Sequence, residues 1–218
     1  MLERNDMTTT PEKIDEDIQN LLNKLKVTQI PIYLSIESDP NSTLQDCFPI
    51  VQKKVIDSGG KMVMGWQIWK ADYLVEAECH AVWEDSEGIL HDVTPKPPSF
   101  SKILFVKDES LIYQEKQIDN VRLNITNNKL VDELVLVSEA IFSFDNKGER
   151  AMLYGTDFLK SLTKAQMEYR EELMLIHDLI NILLINKGNR NSTCPCDSGN
   201  KYKHCHGKDL SKKVLENV

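Results

Sequence analysis

Apolar positions recur at helical spacing near both ends of the chain and alternate with polar positions in between. The helical spacing predicts helices at about 11–25, 130–144 and 156–186, and a further helix of uncertain start that ends at about Asp57. The alternating segments predict strands at about 30–36, 62–69, 73–83, 89–93 and 103–106, and residues 110–125 are ambiguous but fit a further strand pair. The sequence therefore predicts an α+β fold, with a central antiparallel sheet flanked by N- and C-terminal helices.

Composition indicates a soluble globular protein. The 218 residues suffice for one domain and an appendage, and 41% hydrophobic with 28% charged residues is ordinary for such a protein. No apolar run has the length of a membrane span, and the first residues lack the pattern of a signal sequence. Five cysteines, three of them clustered, indicate a reducing compartment. We therefore expect a cytoplasmic protein with no membrane contact.

Three cysteines and a histidine lie close together near the C-terminus. Cys194, Cys196, Cys205 and His206 follow the spacing C-x-C-x8-C-H. Thiolate and imidazole are ligands that Zn²⁺ prefers, and four of them complete a tetrahedral structural site. The segment is too short and polar to form its own core, so metal binding can supply the folding energy. We expect one structural zinc ion here, in preference to disulfides or a chance cluster.

The cluster resembles the SEC-C motif, named after the carboxyl tail of the bacterial preprotein-translocase motor. The resemblance is carried by Cys194-Pro195-Cys196, Ser198-Gly199, Lys201-Tyr202-Lys203 and Cys205-His206-Gly207. It implies that the three clustered cysteines and His206 are the zinc ligands, and that the tail contacts partners such as export chaperones or ribosomes. Asp197 departs from the glycine expected there, at a turn that carries no ligand.

Charge divides the chain unevenly. The net charge is −8, but residues 187–218 hold seven Lys or Arg and three Asp or Glu, which makes this tail +4 and the rest −12. A basic tail on an acidic body favours an anionic partner such as RNA, a ribosome surface or an acidic protein. The alternative is that the lysines only keep a small module soluble.

A second group of reactive side chains falls in the predicted sheet. Cys47 lies near a predicted helix start, while His80 and Asp92 lie on successive strands. If residues 85–87 form a three-residue hairpin loop, Glu84 pairs with Gly88, and His80 lies directly opposite Asp92 with Cβ atoms about 5 Å apart. A cysteine at a helix start with a carboxylate-oriented histidine is a plausible nucleophile and base.

The segment from Asp46 to Pro95 resembles the transglutaminase-like branch of the papain-type cysteine enzymes. The resemblance is carried by Cys47 at a helix start, the strand after Gly59-Gly60, His80-Ala81-Val82-Trp83-Glu84 and Asp92-Val93-Thr94-Pro95. It implies that Cys47 is the nucleophile, His80 the base and Asp92 the orienting acid of an amide-cleaving or amide-exchanging enzyme. Pro49 and the lack of a glycine-rich approach to Cys47 are departures from that pattern. The structural alternative is a buried cysteine beside a histidine–aspartate pair.

Two function classes remain open from the sequence. The chain divides into a disordered N-terminus at 1–10, a body at 11–188 with a transglutaminase-like core at about 40–110, and a zinc-binding tail at 189–218. In the first class, the body is a cysteine hydrolase or amide-exchange enzyme that the tail delivers to a protein substrate. In the second, the body is a non-catalytic scaffold, and the protein is an adaptor for ribosome, chaperone or protein-export partners.

Overall fold

A computed structural model describes residues 8–38, 46–97, 99–114 and 116–215. Its helices are α1 (Glu16–Leu25), α2 (Cys47–Ser58), α3 (Lys129–Asp145), α4 (Gly155–Ser161), α5 (Lys164–Ile185) and α6 (Leu210–Leu215). Its strands are β1 (Ile32–Ser35), β2 (Lys61–Lys70), β3 (Leu74–Glu84), β4 (Leu90–His91), β5 (Lys102–Lys107) and β6 (Val121–Asn124). The α+β class and the antiparallel sheet are both confirmed.

The chain forms two compact units. The sheet unit contains the described residues from Thr8 to Gln114 together with 120–123, and the helical unit contains 116–119 and 124–215. The expected disorder at 1–10 concerns mainly residues 1–7, which lie outside the described residues. Thr9 is instead ordered in an antiparallel bridge, in which its backbone exchanges two 2.9 Å hydrogen bonds with Lys70.

The sheet unit is built on a long antiparallel ladder between β2 and β3. The strand order is β1-β5-β2-β3-β4, and β6 also pairs with β3. One face of the sheet carries a buried apolar cluster of Leu34, Val63, Val82, Ile103 and Phe105. A parallel bridge between Ile36 and Asp92 joins the chain after β1 to the chain after β4. This bridge fixes the backbone of Asp92 beside the sheet.

The hairpin between β3 and β4 corrects the expected register. Trp83 pairs with His91 and Glu84 with Leu90, so the pairing is displaced by two residues from the expected Glu84–Gly88 pair. The backbone N–H of Asp85 donates to Ile89, which leaves 86–88 as the loop. Gly88 has φ +83°, a conformation that suits the last position of a three-residue hairpin loop and not a paired strand residue. Because side chains alternate with period two, Asp92 nevertheless stays on the face of His80.

Polar caps fix where the helices begin. The Asp46 carboxylate accepts from the backbone N–H of Phe48 at 3.1 Å, so Cys47 is the first residue of α2 and Pro49 falls in the first turn, where proline is tolerated. The first helix begins at Glu16 and not near Pro11, because Asp15 provides its cap. None of the helices in the described ranges is long and apolar enough to cross a membrane.

The helical unit packs α3 against α5, with α6 also contacting α3. The helix expected at 130–144 is confirmed as α3, and its apolar residues Leu134, Val137 and Ile141 are all buried. Helix α5 begins with a capping box in which Thr163 and Gln166 bond each other's backbone. The chain then continues from α5 into residues 189–215, here called the metal module.

Candidate metal centre

The metal module is held together mainly by local backbone hydrogen bonds. Thr193 forms an antiparallel bridge with Lys201, and the backbone N–H of Cys194 donates to Asn200 at 2.8 Å. A short 3-10 turn at Tyr202–His204 follows, and the backbone N–H of Cys205 donates to Tyr202 at 2.9 Å. This tight loop brings the two cysteines before it close to the cysteine and histidine after it.

The four expected ligand residues form one cluster. The ligand atoms of Cys194, Cys196, Cys205 and His206 all lie within 4.8 Å of one another. His206 Nδ1 lies 3.3 Å from Cys194 Sγ and 3.4 Å from Cys205 Sγ, and Cys196 Sγ lies 3.5 Å from Cys205 Sγ. With Zn–S near 2.3 Å and Zn–N near 2.0 Å, the edges of a tetrahedral site measure about 3.5–3.8 Å. The donor set and spacing therefore fit one tetrahedral metal ion.

Neighbouring groups shift the pKa values of two of the thiols in opposite directions. The hydroxyl and backbone N–H of Ser198 lower the pKa of Cys196 to about 6, and this hydroxyl lies 3.3 Å from Sγ. Burial raises the pKa of Cys194 to about 11. Cys196 is thus stabilised as a thiolate by its neighbours, whereas the charge of Cys194 depends on a bound cation.

Asp197 occupies a backbone conformation that suits glycine. Its φ is +60°, in the left-handed region, which explains the glycine expected from the resemblance. Asp197 is exposed and is not one of the four clustered residues, so this departure removes no ligand.

Replacing Asp197 with glycine should stabilise the metal-loaded module by about 0.5–1 kcal/mol, because a left-handed conformation costs glycine little. The chelator concentration that half-unloads the protein would be compared between Asp197→Gly and wild type. Asn200→Gly is the matched control, since Asn200 is exposed in the same loop and its φ is not positive. Equal or weaker metal retention in Asp197→Gly would contradict the expected gain.

Contacts outside the loop anchor the module on the helical unit. Asn128 Nδ2 donates to the carbonyl of Gly188 at 2.8 Å, and Arg190 forms an ion pair with Glu133 of α3, with Nε 2.9 Å from Oε1. Tyr202 is fully buried. The sequence pattern did not single out Glu133 or Arg190, because nothing in local spacing relates α3 to a loop almost sixty residues later.

The structure joins two of the three residues expected to form a catalytic group. His80 Nε2 lies 3.0 Å from Asp92 Oδ1, and both side chains are buried. Cys47 is the first residue of α2 and is also buried. Within the described residues, no hydrogen bond joins the Cys47 thiol to the His80 ring.

Burial dominates the ionisation of this group. It raises the pKa of Cys47 to about 12, and the nearby backbone N–H of Ala81 offsets only part of that rise. Burial and the positive charge of Lys96 hold the pKa of His80 below its usual value. Burial tends to raise the pKa of Asp92, but the hydrogen bond from His80 and the charges nearby outweigh it and lower the pKa. The group therefore consists of a neutral thiol, a neutral imidazole and a carboxylate.

Comparison with known proteins agrees with the geometry of the metal module. Residues 190–208 match the SEC-C motif. The chain is 33% identical over 90 residues to protein translocase subunit SecA of Brachyspira hyodysenteriae, which is 40% of this chain and 9% of that relative. It is 30% identical over 110 residues to SecA of Campylobacter lari, which is 49% of this chain and 12% of the relative.

These similarities cover only part of each protein. The chain spans about a tenth of the length of these SecA relatives. The aligned stretches of 90 and 110 residues are nevertheless much longer than the motif at 190–208. No solved structure matches the chain. The resemblance of residues 46–95 to transglutaminase-like enzymes therefore stays a prediction from the sequence pattern.

Proposed function

We propose that this protein binds one structural zinc ion through Cys194, Cys196, Cys205 and His206, and that it acts as a cytoplasmic adaptor through its SEC-C module. The observation that carries the proposal is the four-residue cluster, whose ligand atoms lie within 4.8 Å of one another. Three sulfurs and one nitrogen in a closed set favour zinc over metals that prefer oxygen ligands. Four protein ligands leave no open position, so the ion supports the fold and performs no chemistry.

The partner is proposed to be an acidic protein surface in protein export. Similarity to protein translocase subunits supports this setting. The module exposes Lys201 and Lys208, and the tail as a whole is positively charged. Exposed lysines on a small rigid module favour an anionic partner, and their effect is reduced by salt. Ribosomal RNA is the alternative that the partner experiment separates.

Metal content is the first test of this function. We expect one equivalent of zinc per purified chain by elemental analysis, and less than a tenth of that in Cys205→Ser. The matched control is Cys79→Ser, since Cys79 is a buried residue of β3 and not part of the cluster. A wild-type protein without stoichiometric metal after growth with added zinc would contradict the proposal.

The partner is then tested with the zinc-loaded protein. The double variant Lys201→Glu/Lys208→Glu should no longer cross-link to the partner. The control Lys160→Glu should still cross-link, because Lys160 is an exposed lysine of α4, outside the metal module. Loss of the partner after nuclease treatment would indicate RNA instead of an acidic protein. Retention by the double variant would show that the basic surface is not used.

The catalytic prediction for Cys47, His80 and Asp92 is kept as a second candidate function. The 3.0 Å bond between His80 and Asp92 favours it, because an oriented histidine is what such a group needs. The raised pKa of Cys47 opposes it, because an activated cysteine has a lowered pKa. We propose the adaptor first, and the variants of His80 and Cys47 test the catalytic role.

A further inference from the structure

Glu133 lies outside the SEC-C motif but touches the metal module directly. It belongs to the third helix, its side chain is only 13% exposed, and its Oε1 lies 2.9 Å from Arg190 Nε. Burial raises the pKa of Glu133 to about 7, although the charge of Arg190 acts in the opposite direction. A carboxylate placed in such a site gains its stability from the arginine, so the two side chains restrain each other.

Arg190 carries this restraint towards the ligands. Its Nη2 donates to the carbonyl of Gly207 at 2.9 Å, and Gly207 directly follows the ligand His206 in the chain. The backbone carbonyl of Arg190 also accepts from the N–H of Lys203 at 3.0 Å, inside the loop that precedes Cys205. One guanidinium therefore bridges the third helix and the peptide unit next to a metal ligand.

The ring of Tyr202 packs against Gly207, the residue that Arg190 also contacts. Its ring lies so close to Gly207 that a Cβ there would come within 2.3 Å of the ring, so only glycine fits. Within the described residues, its buried hydroxyl, Glu133 Oε2 and Arg190 Nε have no hydrogen-bond partner, so charge attraction holds Glu133 to Arg190. Burial raises the pKa of Tyr202, and the negative charge of Glu133 adds to that rise. The ligand loop is thus fixed by ring packing on one side and by Arg190 on the other.

We infer that Glu133 is a positioning residue for the metal site, which acts through Arg190 on the Gly207 carbonyl and thereby on His206. The inference rests on the proposed zinc function and extends the site beyond the matched motif. Residues that orient ligands from outside the coordination sphere typically contribute about 10–100-fold to metal affinity. Glu133 pre-orders His206 before the metal arrives, so its loss raises the dissociation constant without removing a ligand.

The test uses full-length Glu133→Gln, which keeps the shape of the side chain and removes its charge. Competition with a chromogenic chelator should show a zinc dissociation constant about tenfold higher than wild type. The matched control is Glu139→Gln, an exposed carboxylate on the same helix, which should leave the constant unchanged. The visible d–d absorption of the Co²⁺-loaded protein should shift in Glu133→Gln, because these bands report the ligand field, which a purely structural role in helix packing would not alter.

Energetic coupling between Glu133 and Arg190 provides a second test of the inference. If Glu133 acts through Arg190, the double variant Glu133→Gln/Arg190→Gln should lose no more affinity than Arg190→Gln alone. Additive losses, or a Glu133→Gln protein with the constant and Co²⁺ spectrum of the control, would overturn the inference. Helical circular dichroism is recorded for each variant, and if Glu133→Gln does not fold, Arg190→Lys replaces it. A wild-type chain that binds no zinc would defeat the proposed function itself, which is a different result.

Discussion

Removal of the metal with a chelator is expected to unfold the metal module and to release α6 from α3, while the sheet unit stays folded. The module lacks an apolar core of its own, and binding of structural zinc to comparable small modules contributes about 10–16 kcal/mol. Hydrogen–deuterium exchange should show loss of protection in 189–215, including the backbone hydrogen bond from Cys194 to Asn200. Protection at the start of α3 should also fall, because Glu133 loses its contact with Arg190, and Asn128 loses its hydrogen bond to Gly188, which directly precedes the module.

The sheet unit supplies an internal control for this experiment. All three tryptophans, Trp66, Trp69 and Trp83, lie on β2 or β3, so tryptophan fluorescence reports only the sheet unit. It should not change when the metal is removed. The Cys205→Ser protein should show the same pattern of exchange without any chelator. Full protection of the module in a metal-free sample would mean that backbone hydrogen bonds and Tyr202 alone hold it together.

Replacement of His80 with alanine is expected to destabilise the sheet unit by about 3–5 kcal/mol, because the buried Asp92 carboxylate loses a hydrogen-bond donor and a cavity forms. Among the described residues, the Asp92 carboxylate then keeps the 3.2 Å hydrogen bond from the Thr94 backbone and a Lys96 ammonium 3.9 Å from Oδ2. Urea unfolding followed by tryptophan fluorescence measures the loss. The control Cys47→Ser removes the third expected member and should cost clearly less, since no hydrogen bond joins it to His80 within the described residues.

The pH dependence of this unit follows from the same pair. The pKa of His80 lies below its usual value. As the pH falls below about 6.5, His80 therefore binds a proton in the unfolded chain before it does so in the folded chain. The lowered pKa of Asp92 acts in the same direction at more acidic pH. The wild-type unit should therefore lose stability on acidification, and the His80→Ala unit should lose less between pH 7 and 5. A steeper loss in the variant would contradict this account.

The same variants separate a structural pair from a catalytic one. A catalytic Cys47 should react quickly with iodoacetamide near neutral pH and should need His80, because its thiolate must form well below the ordinary thiol pKa of about 8.5. The buried thiol described here, with a pKa raised to about 12, should instead react slowly in the folded protein. Rapid labelling of Cys47 that depends on His80 would favour the enzyme over the adaptor.

The cluster of three cysteines and a histidine could be predicted from the sequence because its members are close together in the chain. Thirteen positions, from Cys194 to His206, contain all four residues and the turns that join them. The conformation of Asp197 was also foreseen indirectly, since a glycine was expected at a position that proves to be left-handed. Short-range geometry of this kind depends on few backbone angles, and spacing alone limits it strongly.

The hairpin and the helix start were less predictable because competing local signals decided them. The expected loop at 85–87 placed Gly88 in a strand, but its left-handed conformation belongs to the loop, and the register moved by two residues. The even displacement preserved the face of Asp92, so the contact with His80 formed diagonally and not between directly paired residues. For α1, the apolar spacing predicted a start at about residue 11, but the cap provided by Asp15 places the start at Glu16.

Long-range contacts could not be predicted from spacing. Glu133 and Arg190 are 57 positions apart in the chain, and a glutamate on an amphipathic helix gives no signal of a partner in a distant loop. The short strand β6 lies within the ambiguous range 110–125, where a strand pair was one interpretation, and its four residues, Val121–Asn124, are all only partly buried and give no clear alternation. Both features depend on how distant segments pack, which a single sequence does not encode in any local pattern.

The contact between Glu133 and Arg190 also affects how this kind of module can be moved from one protein to another. A graft that begins at the motif boundary would leave behind the carboxylate and Asn128, and the transplanted loop would carry an unpaired arginine. A graft that begins before Asn128 carries its own support, because α3, α5 and the loop belong to one compact unit. For recombination and for engineering alike, the transferable piece is then the whole helical unit, and the SEC-C motif is only its most recognisable part.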